Sequence, residues 1–153
     1  MSNRAIFLIV LTVTLGAAGV WLGDWFKKPT IEILAQSRPM RGARNAAVPG
    51  ETAVDPVSFM FDNKYALTEI RVVAAEDEKT NKYPHALWHL VADKSAAPDN
   101  VIVYGRTPRG MKPKIPRARP EPLEPDVVYH LYVTADDARG DKKFKPRESM
   151  AAR

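Results

Sequence analysis

The apolar residues of this chain follow two different patterns, one before Pro29 and one after it. From Ala5 to Gly23 the chain runs for 19 residues without a charge. An α-helix rising about 1.5 Å per residue over that length is long enough to cross a hydrocarbon layer of about 30 Å. Beyond Pro29, apolar residues alternate with polar ones in short runs separated by Pro, Gly, Asn and Asp. The first pattern predicts a membrane-spanning helix, and the second predicts half-buried β-strands.

The residues around the apolar run favour a single-pass membrane anchor over residues 1–28. Trp21, Trp25 and Phe26 follow the run, at the depth where aromatic side chains prefer the headgroup level. Pro29 then ends the helix. The alternative is a cleaved signal peptide, with the small residues 16–19 before the cut, and in that case the protein is secreted. A buried core helix is disfavoured because the run has no polar face.

Two signals disagree about the side of the membrane on which the remaining chain lies. Lys27, Lys28 and three arginines between residues 38 and 44 outnumber Arg4, and this excess predicts a cytoplasmic domain. A short positive N-terminus followed by an apolar run is instead typical of an export signal. We take an extracytoplasmic domain, periplasmic or at the cell surface, as the hypothesis, and the opposite orientation stays open.

Seven period-two segments predict an all-β domain over residues 29–146, followed by a flexible tail over residues 147–153. The segments are Thr30–Ala35, Val57–Phe61, Thr68–Ala75, Ala86–Ala92, Val101–Gly105, Val127–Ala135 and a short stretch about Phe144. No amphipathic helix is predicted between them, and parallel pairing would need long crossovers. The acidic runs Glu76–Glu78 and Asp136–Asp137, and the tripeptide Arg139–Asp141, are interpreted as turns. The pattern therefore predicts a seven-stranded antiparallel β-sandwich.

The sixth segment carries a family resemblance. In LEPDVVYHLYVTA, Leu123 and Pro125 precede Tyr129 and a series of alternating apolar residues, and this pattern resembles the tyrosine corner of fibronectin type III domains. The resemblance implies that the Tyr129 ring is buried and that its hydroxyl bonds to the backbone upstream. It also implies that Thr68–Ala75, Ala86–Ala92 and Val127–Ala135 are the strands called C, C′ and F. The second segment lacks the tryptophan usual in that family, so immunoglobulin-like relatives remain an alternative.

Composition narrows the chemistry that the domain can perform. The net charge of +5 and the pI of about 9.5 favour anionic partners. The chain has no cysteine, which excludes disulfides, thiolate zinc sites and thiol nucleophiles. The sequence has no nucleophile elbow and no glycine-rich phosphate loop. We therefore predict no catalytic activity and no cofactor.

The stretch Arg106–Pro125, called here the basic segment, is the first candidate binding site. It has six prolines, and all six of its basic residues precede its first acid, Glu121. This composition predicts a stiff polyproline II ribbon whose cations point outward. Such a ribbon suits an anionic polymer or lipid. The alternative is that it packs over a sheet edge, with Met111 and Ile115 anchoring it to the core. The six cations are Arg106, Arg109, Lys112, Lys114, Arg117 and Arg119.

The outward face of the third, fourth and sixth segments is the second candidate. It is predicted to display Leu87, Val91, Val73, Val128 and Tyr132 beside His89, Arg71 and His130. That is more apolar than an ordinary solvated face. The face is predicted either to dock a partner or a second copy of the chain, or to lie beneath the basic segment.

Three histidines, His85, His89 and His130, suggest a zinc site. The predicted strand order places the third segment between those that carry His89 and His130. The two residues would then stand about 9.5 Å apart, at two strand spacings. That separation argues against zinc and for ordinary surface histidines.

These patterns give two functional hypotheses. The first is a membrane-anchored binding or scaffolding module that meets an envelope protein or an anionic polymer. The second is a small accessory subunit of a membrane complex, in which Gly16, Gly19 and Gly23 allow close packing of the apolar helix. Nucleic acid is a disfavoured partner, because aromatic residues are not interleaved with the basic segment.

Overall fold

The protein is mostly β, as predicted, and its strands form two antiparallel sheets. The computed structural model describes residues 29–37, 54–94, 96–136 and 138–147. These residues contain eight strands and one short helix. The elements are β1 (Ile33–Ser37), β2 (Val57–Tyr65), β3 (Leu67–Ala74), α1 (Ala75–Thr80), β4 (Ala86–Ala92), β5 (Asp99–Val103), β6 (Met111–Pro113), β7 (Tyr129–Ala135) and β8 (Arg139–Phe144).

The strands divide into a three-stranded sheet, in the order β1-β2-β5, and a five-stranded sheet, in the order β6-β4-β3-β7-β8. Every neighbouring pair is antiparallel. One parallel bridge between Thr30 and Arg139 joins the chain just before β1 to the start of β8. The two sheets therefore meet along this edge as well as through the core.

The core lies between the two sheets and is built from alternate residues of each strand. Phe59 and Phe61 point inward from β2, and Trp88 and Leu90 point inward from β4, as the period-two pattern predicts. The ring of Phe59 meets that of Phe144 edge to face, with centroids 4.9 Å apart. Contact between β2 and β8 across the sheets is therefore aromatic.

Tyr129 has the surroundings that its sequence context implies. Its side chain is 3% exposed, and its ring packs 5.8 Å from that of Phe144. Its hydroxyl accepts a hydrogen bond of 2.9 Å from the backbone N–H of Glu124, five residues upstream. Burial raises the pKa of Tyr129, so the hydroxyl remains protonated at neutral pH.

The chain enters the sandwich at one end, called here the entry end, which holds Thr30, Ala135 and Arg139. The N–H of Ile31 donates to the carbonyl of Arg139 at 2.8 Å, and the N–H of Arg139 donates to the carbonyl of Pro29 at 3.1 Å. The sheet hydrogen bonding thus begins at Pro29. The opposite end, called the far end, holds Ala74, Tyr129 and Phe144, which pair with one another across β3, β7 and β8.

The structure corrects three predictions about individual segments. Residues 76–78 lie in helix α1 rather than in a turn, because an acidic first turn interacts favourably with the helix dipole. Arg139–Asp141 lies within strand β8 and pairs with β7, so it is not a turn either. Strand β6 was not predicted, because its three residues include Pro113 and have no apolar alternation.

Some predictions fall on residues outside the described ranges. They include the apolar helix over Ala5–Gly23, the three glycines within it and the tail beyond residue 147. Within the ranges that the structure describes, no helix combines the length and the apolar character needed to span a bilayer.

Candidate functional site

The basic segment runs along the outer edge of strand β4. Strand β6 within it pairs with β4 from Met111, opposite Ala92, to Pro113, opposite Leu90. Beyond β6, the N–H of Lys114 donates to the carbonyl of His89 at 3.0 Å. The segment's backbone thus occupies the hydrogen-bonding groups of an edge that would otherwise accept a foreign strand.

Two side chains hold the segment in place. Met111 is buried, with 8% of its surface exposed, as predicted. The Tyr104 hydroxyl at the end of β5 donates to the backbone carbonyl of Glu121 at 2.7 Å, and the Glu121 N–H donates to the carbonyl of Leu87 at 3.0 Å. Burial raises the pKa of Tyr104, so it stays a donor. Ile115 is 69% exposed, so the prediction that it anchors the segment is wrong.

The segment is not the continuous polyproline II ribbon that its composition predicts. After β6 it turns at residues 115–118, where the N–H of Ala118 donates to the carbonyl of Ile115 at 3.0 Å. Arg117 adopts a left-handed φ of 66° at the third position of this turn, which Gly occupies most easily, and Pro116 precedes it. Backbone pairing with β4 and this turn therefore override the extended preference of the prolines.

The six cations of the basic segment are all exposed. Lys112 forms an ion pair with Asp93. Within the described ranges, the other five have no carboxylate at ion-pair distance. Gly105, just before the segment, abuts Pro120, whose Cγ would lie 3.6 Å from a Cβ at Gly105. Arg106 and Arg119 are therefore both next to this contact. The far end of the β4 edge is thus strongly basic.

The outer face of the five-stranded sheet, meaning the face turned away from the three-stranded sheet, is partly covered. Helix α1 follows directly from β3 and folds back over it. The N–H of Ala75 donates to the carbonyl of Val128 at 3.0 Å. Val73 is fully buried there, and His130 is only 8% exposed. The prediction that Val73 and His130 lie on an open surface is therefore wrong.

A hydrogen-bonded cluster surrounds His130 beneath α1. Its Nδ1 lies 2.9 Å from Glu78 Oε2, and its Nε2 lies 2.9 Å from Asp141 Oδ2. The Tyr132 hydroxyl donates to Glu78, and the hydroxyl oxygen of Tyr132 lies 2.7 Å from His130 Nδ1. Two hydrogen bonds lower the pKa of Glu78, and the bond from Tyr132 has a larger effect than the bond from His130. Glu78 therefore accepts from both groups as a carboxylate and holds α1 on the sheet.

Of the remaining predicted residues of this face, Arg71, His89 and Tyr132 lie side by side, and Leu87 lies at a bulge in β4. Arg71 lies opposite His89 on one side and opposite Tyr132 on the other. The Arg71 guanidinium stands over the Tyr132 ring, 5.1 Å from its centroid. Leu87 occupies the position of the register shift between β3 and β4 and packs against the core. Leu87 is therefore partly buried against the core rather than displayed on the outer face as predicted.

The three histidines do not lie together in the structure. Strand β3 lies between β4, which carries His89, and β7, which carries His130, as predicted. Each histidine has its own carboxylate: His85 with Glu121 at 2.6 Å, His89 with Glu69 at 2.7 Å and His130 with both Glu78 and Asp141 at 2.9 Å. Among the residues that the structure describes, no group of three potential ligands is arranged to hold a metal ion.

No protein-family model, curated protein or solved structure matches this chain significantly. The residues of the basic segment and of the outer face therefore carry the functional inference by themselves.

Sequence patterns missed several residues that shape these surfaces. Glu78 lies in an acidic run that is typical of a solvated turn, and only the short helix places it over His130. The sequence places Tyr104 at the end of the fifth strand, and the hydrogen bond from its hydroxyl to the basic segment has no signal in the sequence. The sequence predicts a turn at Arg139 and Asp141, and a turn defines no strand neighbours for them.

Proposed function

We propose that this protein is a membrane-anchored, extracytoplasmic binding module without catalytic activity, and that its basic segment binds an anionic polymer. The apolar run Ala5–Gly23 supports the anchor. The single observation that carries the binding proposal is the basic segment itself. Its backbone is fixed to the β4 edge, while five of its six cations extend without carboxylate partners among the described residues.

This arrangement favours binding because the cations are held in place before a ligand arrives. A flexible basic chain loses conformational entropy when it binds, whereas this backbone is already ordered by β6 and by the Tyr104 and Glu121 hydrogen bonds. Arg117 keeps a charged side chain at a backbone position that suits glycine, and non-glycine residues in such conformations are concentrated at functional sites.

We further propose that the domain has the fibronectin type III type of sandwich. The order β4-β3-β7-β8 in one sheet and β1-β2-β5 in the other supports this proposal. The bond between Tyr129 and Glu124 also supports it, since a buried tyrosine returning to the upstream backbone marks that family. The fold by itself implies no activity.

The binding proposal is tested by chromatography of the full chain, in neutral detergent, on an immobilised linear sulfated polysaccharide. The test variant neutralises the unpaired cations of the basic segment: Arg106→Gln, Arg109→Gln, Lys114→Gln, Arg117→Gln and Arg119→Gln. The matched control removes as many exposed lysines from elsewhere on the domain: Lys64→Gln, Lys79→Gln, Lys82→Gln, Lys94→Gln and Lys142→Gln. Both variants have the same net charge.

We expect the test variant to elute at much lower salt than the control, because each cation that contacts a polyanion releases roughly one counterion. The dependence of the logarithm of the affinity on the logarithm of salt should become shallower by about one for each contact removed. If the two variants elute together, retention depends on net charge alone and the basic segment is not the binding site.

A second proposal, an accessory subunit of a membrane complex, is favoured by the spacing of Gly16, Gly19 and Gly23. At these intervals small residues share one side of a helix and permit close helix packing. Replacing the three with leucine should abolish co-purification of a membrane partner while the sulfated-polysaccharide retention persists. Unchanged co-purification would exclude helix packing as the principal contact.

A further inference from the structure

The outer face of the five-stranded sheet has two halves, of which one is covered and the other is open. The half toward the far end lies beneath helix α1, where Val73 and His130 are buried. The half toward the entry end is an open depression of about 550 Å³. This volume lies within the range of small-ligand sites.

Two rows of paired residues line the depression. The lower row crosses four chain segments, from Glu69 on β3 through Thr134 on β7 to Arg139 on β8 and Thr30 before β1. The upper row runs from Arg71 through Tyr132 to Asp141. Each row thus has one arginine and one carboxylate, at opposite ends of its β3–β8 span.

Both carboxylates are engaged by histidines. Glu69 Oε1 lies 2.7 Å from His89 Nε2, toward β4. Asp141 Oδ2 lies 2.9 Å from His130 Nε2, toward α1. These contacts place a histidine ring nitrogen within hydrogen-bonding distance of one oxygen of each acid.

The two arginines have no such partner. Within the described part of the chain, neither Arg71 nor Arg139 has a carboxylate at ion-pair distance. Arg71 is oriented by stacking on Tyr132, with its guanidinium 5.1 Å from the ring centroid. Arg139 lies two strands away and two residues further along the sheet. The Cα separation is therefore roughly 12 Å, which two arginine side chains can bridge. Thr30 and Thr134 also line the depression.

We infer that this depression binds one phosphate-sized oxyanion between Arg71 and Arg139. Guanidinium groups present planar pairs of N–H donors that match phosphate oxygens, and threonine hydroxyls donate to the oxygens that remain. The depression lies at the entry end, where Thr30 is the second residue after Lys28. The phosphate could therefore belong to a lipid headgroup or be free in solution. This inference does not require the basic segment to bind anything.

The inference is tested by amide NMR of the full chain in neutral maltoside micelles at constant ionic strength. The probes are inorganic phosphate, glycerol 3-phosphate and dihexanoyl phosphatidic acid. Saturable shifts are expected for the amides of Thr134, Arg139 and Gly140. The variants Arg71→Gln and Arg139→Gln should each weaken binding by at least about tenfold, since a charged hydrogen bond contributes more than 1.4 kcal/mol.

The control is Lys64→Gln, which removes one exposed positive charge from strand β2 of the other sheet and should leave the titration unchanged. Arg71→Lys and Arg139→Lys keep the charge and the fold, and they should bind with intermediate affinity because the planar fork is lost. Similar responses to the three probes indicate a site for free phosphate esters. A response to the lipid alone indicates a headgroup site. Shifts that do not saturate, or that persist in both glutamine variants, overturn the inference.

Discussion

Replacing Gly140 with alanine should loosen the attachment of the chain entry to strand β8. Gly140 points inward from β8 toward the backbone just before β1. A Cβ at this position would lie 2.7 Å from the Ile31 carbonyl oxygen and 2.8 Å from the Ile31 Cβ, whereas ordinary contacts begin near 3.4 Å. The atoms must therefore separate by about 0.7 Å. Because the nearest atom is a backbone oxygen and the next is a Cβ, whose position the backbone fixes, a side-chain rotation cannot relieve the clash.

The expected loss of stability follows from the hydrogen bond that this separation would break. The separation would lengthen the 2.8 Å hydrogen bond from Ile31 to Arg139 beyond a useful distance, and overpacking of this kind costs about 1–3 kcal/mol. Alanine also restricts the unfolded chain, which returns about 0.4–1 kcal/mol. We therefore expect Gly140→Ala to lower the free energy of unfolding by about 1–2 kcal/mol, equivalent to a fall of several degrees in Tm.

Urea unfolding of the full chain in neutral detergent, followed by circular dichroism, measures this change. Hydrogen exchange at the Ile31 and Arg139 amides should accelerate more than exchange in β3. Lys142→Ala, in the same strand but exposed, is the control and should change stability by less than about 0.5 kcal/mol. If Gly140→Ala is as stable as the control variant, the close approach of β1 and β8 is not the constraint that these distances indicate.

Two further predictions concern the contacts that hold the basic segment and helix α1. Tyr104→Phe removes the hydrogen bond to Glu121 but keeps the ring beside Trp88, so we expect a loss of about 0.5–1.5 kcal/mol. Hydrogen exchange should rise mainly over residues 114–121, and a uniform rise across the sheets would contradict a local role. Glu78→Gln should destabilise the protein at pH 7 by about 1–2 kcal/mol. Because the folded pKa of Glu78 lies below 4.5, its stabilisation is present above pH 4.5 and is lost as the pH falls through the folded value. Urea unfolding at several pH values should therefore show the difference between wild type and variant shrinking in acid, and a constant difference would refute the charge-based explanation.

The strands that were predictable are those with one side in the core. Phe59 and Trp88 recur with their inward neighbours at period two, and the structure buries both. Strand β6 escaped prediction because it is held by backbone hydrogen bonds to β4, which any sequence with suitable N–H and carbonyl groups can form. Helix α1 has six residues, too few for an apolar period to be recognised.

The composition of the candidate surfaces was predictable, but their geometry was not. The cations of the basic segment are evident in the sequence, whereas the turn at Arg117 depends on pairing with strand β4, which ends 25 residues earlier in the chain. Arg71 and Arg139 are brought to one depression by the registers of β3, β7 and β8. A shift of one residue in either register would send one of the arginines to the opposite face.

The hydrogen bond between Arg139 and Pro29 has a consequence for the proposed membrane attachment. The carbonyl of Pro29 already belongs to the sheet, so only Lys27 and Lys28 separate it from Phe26, the last aromatic residue after the apolar run. A tether this short would hold the sandwich within a narrow range of heights above the lipid. Strand β4, along which the basic segment runs, has seven residues and is roughly 23 Å long. A ligand fixed in the same envelope at that height would meet the cations at a high effective concentration, and a modest intrinsic affinity would then suffice for lasting association.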